Sequence, residues 1–184
     1  MNYLLKNNRN GEVAVYKTAV EITQNKDYIY FTFRAEHGGN YCPFSNYNDI
    51  HSCGDAVEII LGADETRKVY YELEVSPDNV KMLAQMTVEE LDEDGAAKLK
   101  IDFVDEKDCF FTSETQRTKD GYVVRIAIDK AKLNMPVDKI YFNAYRLETD
   151  GGQQEKHLFA LNPTMCGKFH VPCRYVMLRD FVGQ

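Results

Sequence analysis

The chain has 184 residues, 22 basic and 29 acidic side chains, a formal net charge of −7 and no tryptophan. That length suits one domain spanning 1–184 with a sizeable core. The acidic balance, with no clustered Lys/Arg run, argues against a nucleic-acid partner and against an anionic membrane surface. A hydrophobic share of 44%, with twelve tyrosines and ten phenylalanines, belongs to a folded chain that leans towards β structure.

Residues 13–22 read as a first strand, with Val13, Val15 and Thr18-Ala19-Val20 turned inwards. Tyr28 to Phe33 is a second, with Ile29, Phe31 and Phe33 on one face. Residues 36–54, rich in Gly, Asn, Ser and Asp, form a connection long enough to suggest function. Two strands follow around Val57–Leu61 and Tyr70–Val75, then Pro77-Asp78-Asn79 as a turn and Val80–Met86 as a strand. Glu89 to Gly95 reads as an acidic loop, and Lys98 to Val104 as a strand. Phe110–Arg117 and Tyr122–Ile128 make a hairpin around Lys119-Asp120-Gly121, and Asp129 caps a short helical turn, Lys130–Leu133. Ile140–Leu147 is a strand ended before Gly151-Gly152, and Arg174–Leu178 closes the sheet. About ten short strands and one helical turn predict an all-β, antiparallel, jelly-roll-like sandwich.

The polar partners in the middle strands are unusual. Period-two alternation puts Glu58, Glu72 and Glu74 on the face opposite Val57, Ile59, Leu73 and Val75. Glutamate is a poor strand former, and like charges on neighbouring strands repel. Such a face calls for a solvated groove, a cation or a polyhydroxylated ligand. Arg125 and Arg146 fall on strands nearby, and carboxylates and guanidiniums together offer directed hydrogen bonds in fixed geometry. A solvated face with cross-strand ion pairs is the plainer alternative.

Five segments in order carry a family resemblance. Asp55-x-Val57-Glu58-Ile59 is followed by Tyr71-Glu72-Leu73-Glu74-Val75, then by the strand Gly121-Tyr122 to Ile128. Tyr141-Phe142-Asn143-Ala144-Tyr145-Arg146 comes next, and Leu161-Asn162-Pro163-Thr164 with Phe169-His170-Val171-Pro172 closes the series. Over roughly residues 25–180 this order resembles carbohydrate-binding module family 9, a DOMON-type β-sandwich. The resemblance implies non-catalytic recognition of a mono- or oligosaccharide at a chain end. In that family an aromatic pair, usually tryptophan, sandwiches the terminal sugar. By order, Tyr47 and Phe169 stand in those places here. Asn48, Glu58, Glu72 and Arg146 would then bind hydroxyls, with Asp55, Arg125 and His170 completing the ligand set. The absent tryptophans leave room for a protein-interaction domain that has lost sugar binding. The carboxylate pair leaves room for a glycoside-cleaving enzyme.

No nucleophile elbow, phosphate loop or dinucleotide fingerprint occurs. Cys166-x3-His170-x2-Cys173, with Cys42, His51 and Cys53, lacks the tight cysteine pairs of structural zinc. Calcium is the metal the composition suits better, through Glu89–Gly95, although the loop lacks EF-hand spacing and reads first as a solvated turn. Met82, Met86, Met165 and His170 have no haem-like spacing. Residues 1–8 hold no signal-like apolar run, no segment has the apolar length to span a bilayer, and the cysteines are irregularly spaced. Those features lead to an expectation of a cytoplasmic protein with reduced thiols.

Overall fold

In the computed structural model, residues 2–49, 54–152 and 156–183 are described. Two antiparallel sheets pack face to face. The first contains β1 (Asn2–Leu4), β3 (Thr18–Gln24), β4 (Tyr28–Glu36), β10 (Gly121–Asp129) and β9 (Phe111–Thr118), in that order. The second runs β2 (Lys6–Asn7), β12 (His157–Ala160), β11 (Tyr141–Glu148), β5 (Ala56–Gly62), β6 (Val69–Val75), β7 (Lys81–Leu91) and β8 (Ala97–Phe103). A two-residue strand, β13 (Val176–Met177), pairs with the start of β11.

Alternation builds the core. On β4 the odd positions Ile29, Phe31, Phe33 and Ala35 are buried, and on β10 Tyr122, Val124, Ile126 and Ile128 lie beside them on the same face. Across the sandwich they meet Val57, Ile59, Leu61, Leu73, Val75 and Phe142. The hydrophobic effect of this contiguous apolar layer holds the two sheets together.

The second sheet does not follow the simple pattern of one wet face. β5 is buried at all seven positions, and β11 at seven of eight. A strand buried on both sides needs cover on its outer face. That cover is the segment between β12 and β13, whose Phe169 and Tyr175 join Ile60, Tyr70, Met82 and Tyr145 in a second apolar cluster.

Several elements differ from the sequence expectation. The first strand is not 13–22: Val13 and Val15 are 94% and 64% exposed, and pairing resumes at Thr18. β7 runs on to Leu91, so Glu89 and Glu90 belong to a strand and the acidic turn is confined to Asp92–Gly95. β1, β2 and β12 carry no clear alternation and were not expected. The short helix Lys130–Leu133 does form, with the Asp129 carboxylate accepting from the Ala131 and Lys132 amides.

Residues 2–7 belong to both sheets. β1 pairs with β3, Leu5 is buried, and β2 pairs with β12.

Candidate functional site

The outer face of the second sheet carries a cavity of about 490 Å³. Strand parity decides what enters it. On β5 and β6, Glu58 stands opposite Glu74, and Glu72 opposite Ile60. On β6 and β7, Glu74 stands opposite Met82 and Glu72 opposite Ala84. All three glutamates therefore share one face, with Met82 and Met86 beside them. Ile101 and Phe103 on β8 and Leu147 and Leu158 on β11 and β12 add apolar lining. Lys168, Phe169 and His170 enter from the covering segment.

The carboxylates are buried, not solvated: Glu58, Glu72 and Glu74 are 6%, 5% and 6% exposed. Burial pushes the Glu58 carboxyl well above its ordinary value, and the neighbouring Glu72 and Glu74 charges push it the same way. Glu58 Oε1 is buried without a hydrogen-bond partner. An orphaned buried oxygen of this kind is costly unless something polar completes it.

His170 is held from two sides. Its Nδ1 lies 3.2 Å from the Tyr70 hydroxyl, and its Nε2 lies 3.3 Å from Glu72 Oε1. The imidazole also stacks on the Tyr70 ring, at 6.0 Å between centroids and 19° between planes. Phe169 stacks on Tyr145 at 4.2 Å and 23°, while the Tyr145 hydroxyl donates to the Phe169 carbonyl at 2.9 Å. Asn143 Nδ2 in turn donates to that hydroxyl. These bonds fix the covering segment over the sheet.

Of the residues anticipated from sequence, Glu58, Glu72, Phe169 and His170 come together at the cavity. The other five lie elsewhere. Arg146 points into the sandwich because its cross-strand neighbour is Val57; Tyr145 is the residue opposite Glu58. Arg146 is fully buried there. It donates to Thr18 Oγ1 (2.9 Å), the Glu36 carbonyl (3.2 Å), the His37 carbonyl (2.5 Å) and the Glu148 carboxylate (2.7 Å). Its guanidinium also lies over the rings of Tyr122 and Phe159. Arg125 is exposed on the outer face of the other sheet. Tyr47 packs against the core between the sheets. Asn48 ties β7 to the residue just past β8, accepting from the Leu83 amide and donating to the Val104 carbonyl. Asp55 is fully buried and accepts from the Thr149 amide, the Thr149 hydroxyl and the Tyr41 amide at 2.7–2.8 Å. Asn48 and Asp55 thus bond to the chain's own backbone and side chains.

Phe103 was not anticipated as a site residue, yet it is 47% exposed and lines the cavity. Its signal was present: Leu99, Ile101 and Phe103 alternate with Lys98, Lys100 and Asp102 along β8.

The possible metal ligands also regroup. His51 and Cys53 lie outside the described residues. Asp92, in the acidic turn, accepts from its own turn amides at Asp94 and Ala96 and from Lys168 Nζ. Among the described residues, one cluster of three His/Cys/Asp/Glu side chains could hold an ion: Glu58, Glu72 and His170, with one ligand atom from each within 4.8 Å of the others.

No protein-family model matches the sequence, and no curated protein is detectably similar to it. Solved structures do match the fold. A proposed carbohydrate-binding protein from Bacteroides uniformis ATCC 8492 superposes with a TM-score of 0.74 at 13% identity, covering 95% of this chain and 84% of that one. A carbohydrate-binding module of family 9 from Caldicellulosiruptor kristjanssonii, solved with cellotriose, gives 0.62 at 13% identity, over 95% of this chain and 79% of the other. A family 9 module from the same organism, solved with glucose, gives 0.63 at 15% identity, over 95% and 82%. The architecture of this chain is that of the carbohydrate-binding module family 9 β-sandwich.

Proposed function

We propose that this chain is a non-catalytic carbohydrate-binding domain and that the cavity over β5 to β8 receives a mono- or oligosaccharide. The observation that carries the reading is the combination within one cavity. Three buried carboxylates sit at its base, and an exposed aromatic ring, Phe103, lines its wall. Sugars present hydroxyls around the ring edge and C–H groups on the ring face. Carboxylates take the first, and an aromatic or aliphatic surface takes the second. A protonated Glu58 would donate as well as accept. The volume lies within the ~300–1,000 Å³ range of small-ligand pockets, so one or a few sugar units is the size class. The neighbours solved with glucose and cellotriose share the fold and so support the same ligand class.

Phe103 and the aliphatic neighbours Ile101, Leu147 and Leu158 provide less stacking surface than a tryptophan pair. Weak affinity is expected in consequence. The test is titration calorimetry with glucose, cellotriose and a panel of other mono- and oligosaccharides. Heat of binding with one sugar class, reduced in Phe103→Ala, supports the reading. No heat with any member of the panel rejects it.

A further inference from the structure

The same cavity holds a feature that sugar binding does not account for. Glu72 Oε1 and His170 Nε2 are 3.3 Å apart. Zinc takes imidazole nitrogen and carboxylate oxygen at ~2.0–2.2 Å, which sets neighbouring donor atoms roughly 2.8–3.6 Å apart between octahedral and tetrahedral angles. The pair already stands at that spacing. Glu58 supplies a third donor within 4.8 Å of both. Glu58 is 6% exposed, lines the cavity, and its Oε1 has no hydrogen-bond partner. That orphaned oxygen is an observation separate from the clustering of acids.

We propose that Glu58, Glu72 and His170 bind a divalent transition metal of the zinc class, with its remaining coordination positions open to the cavity.

The surroundings suit that role. The second nitrogen of a metal-bound imidazole is normally fixed by a hydrogen bond, and here Nδ1 faces the Tyr70 hydroxyl at 3.2 Å. A phenol oxygen can accept a hydrogen bond from Nδ1–H, the tautomer that leaves the Nε2 lone pair to the ion. Glu74, across from Glu58, adds negative charge beside the cluster. Of the cations that line the cavity, Lys168 is paired with Asp92, and Arg9 and Lys156 stand with it at the wall. One imidazole with two carboxylates favours zinc, cobalt or manganese over calcium, which takes oxygen ligands only.

The experiment strips the protein with a chelator and titrates it with Co²⁺ in the absence of any sugar, reading visible d–d absorption. Thermal unfolding is then followed with Zn²⁺, Mn²⁺ and Ca²⁺. One equivalent of Co²⁺ is expected to bind without thiolate charge-transfer absorption. At a hundredfold excess over Kd, Zn²⁺ or Mn²⁺ should raise the unfolding midpoint by about 5–10 °C, and Ca²⁺ should not. Glu58→Gln and His170→Ala should each weaken Co²⁺ binding more than tenfold. His170 lies at the edge of the cavity, and the glutamine is nearly isosteric. Metal-free melting curves establish that both variants fold, and His170→Gln replaces His170→Ala if it does not. Wild type that binds no Co²⁺, equal binding in both variants, or a thiolate spectrum would each overturn the proposal. The sugar titration repeated in chelator separates the two readings, since either can fail while the other stands.

Discussion

Arg146 and Glu148 stand two positions apart on β11, and their side chains meet at 2.7 Å with neither exposed to solvent. Same-face spacing on a strand brings them side by side, and the sheet opposite supplies the remaining acceptors for the guanidinium. The loop after β4 closes over the pair: the Gly39 amide donates to Glu148, and Gly38, at φ +73°, leaves no room for a Cβ beside that carboxylate. Removing one partner of a buried pair strands the other charge. Arg146→Met is therefore expected to lower stability by about 3–5 kcal/mol. Urea denaturation measures this, and a loss under 1 kcal/mol would contradict it.

The same pair sets a pH dependence. Burial raises the Glu148 carboxyl above its ordinary value of 4.5, and the Arg146 charge offsets only part of that. In the window just above 4.5, the folded chain holds this proton more tightly than the unfolded chain does. Stability from this group is thus fully present below the window and is lost as pH rises through the folded value. Wild type should lose stability relative to Glu148→Gln as pH increases from 4.5. Parallel stability curves for the two proteins would refute the assignment.

Phe103 should matter for ligand and little for folding, because nearly half of it is exposed. An aromatic contact adds roughly 0.5–1.5 kcal/mol beyond burial. Phe103→Ala is expected to weaken sugar binding by about tenfold with an unfolding midpoint close to wild type. Calorimetry and a melting curve check the two halves separately.

Cysteine reactivity gives a further check on burial. Burial pushes the Cys42 thiol up to about 12, with the Asp78 charge adding to the shift. At pH 8 almost none of it is thiolate, the reactive form. Timed iodoacetamide labelling with peptide mapping should show the exposed Cys173 modified first. Cys42 should react at least about a hundredfold more slowly than an ordinary exposed thiol. Comparable rates would place Cys42 in a wetter setting than the structure gives it.

The sandwich and its glutamate face were legible in the sequence because both depend on period-two alternation within single strands. Glu72 and Glu74 share a face for that reason, and Glu58 joins them because Val57 and Ile59 must be buried on the same side as Leu73 and Val75. What failed was information held between strands. Arg146 was read beside the glutamates because its strand was correctly found. Which of its faces looks outward, however, is set by pairing with β5, and that pairing puts Tyr145 opposite Glu58. Tyr47 was placed by its order in the chain, which says nothing of depth, and it lies against the core. The burial of the glutamates was hidden too. It depends on a segment about a hundred residues downstream folding back across the sheet.

The division of residues 2–7 between the sheets has a mechanical consequence. A pull on Asn2 first loads the three residue pairs that join β1 to β3. Only after these yield, and Leu5 is drawn from the core, does the load reach the two pairs between β2 and β12. The N-terminal arm therefore behaves as a two-stage fuse. It can peel in two steps ahead of the sandwich, and the second step uncovers the edge of β12, whose Leu158 lines the cavity.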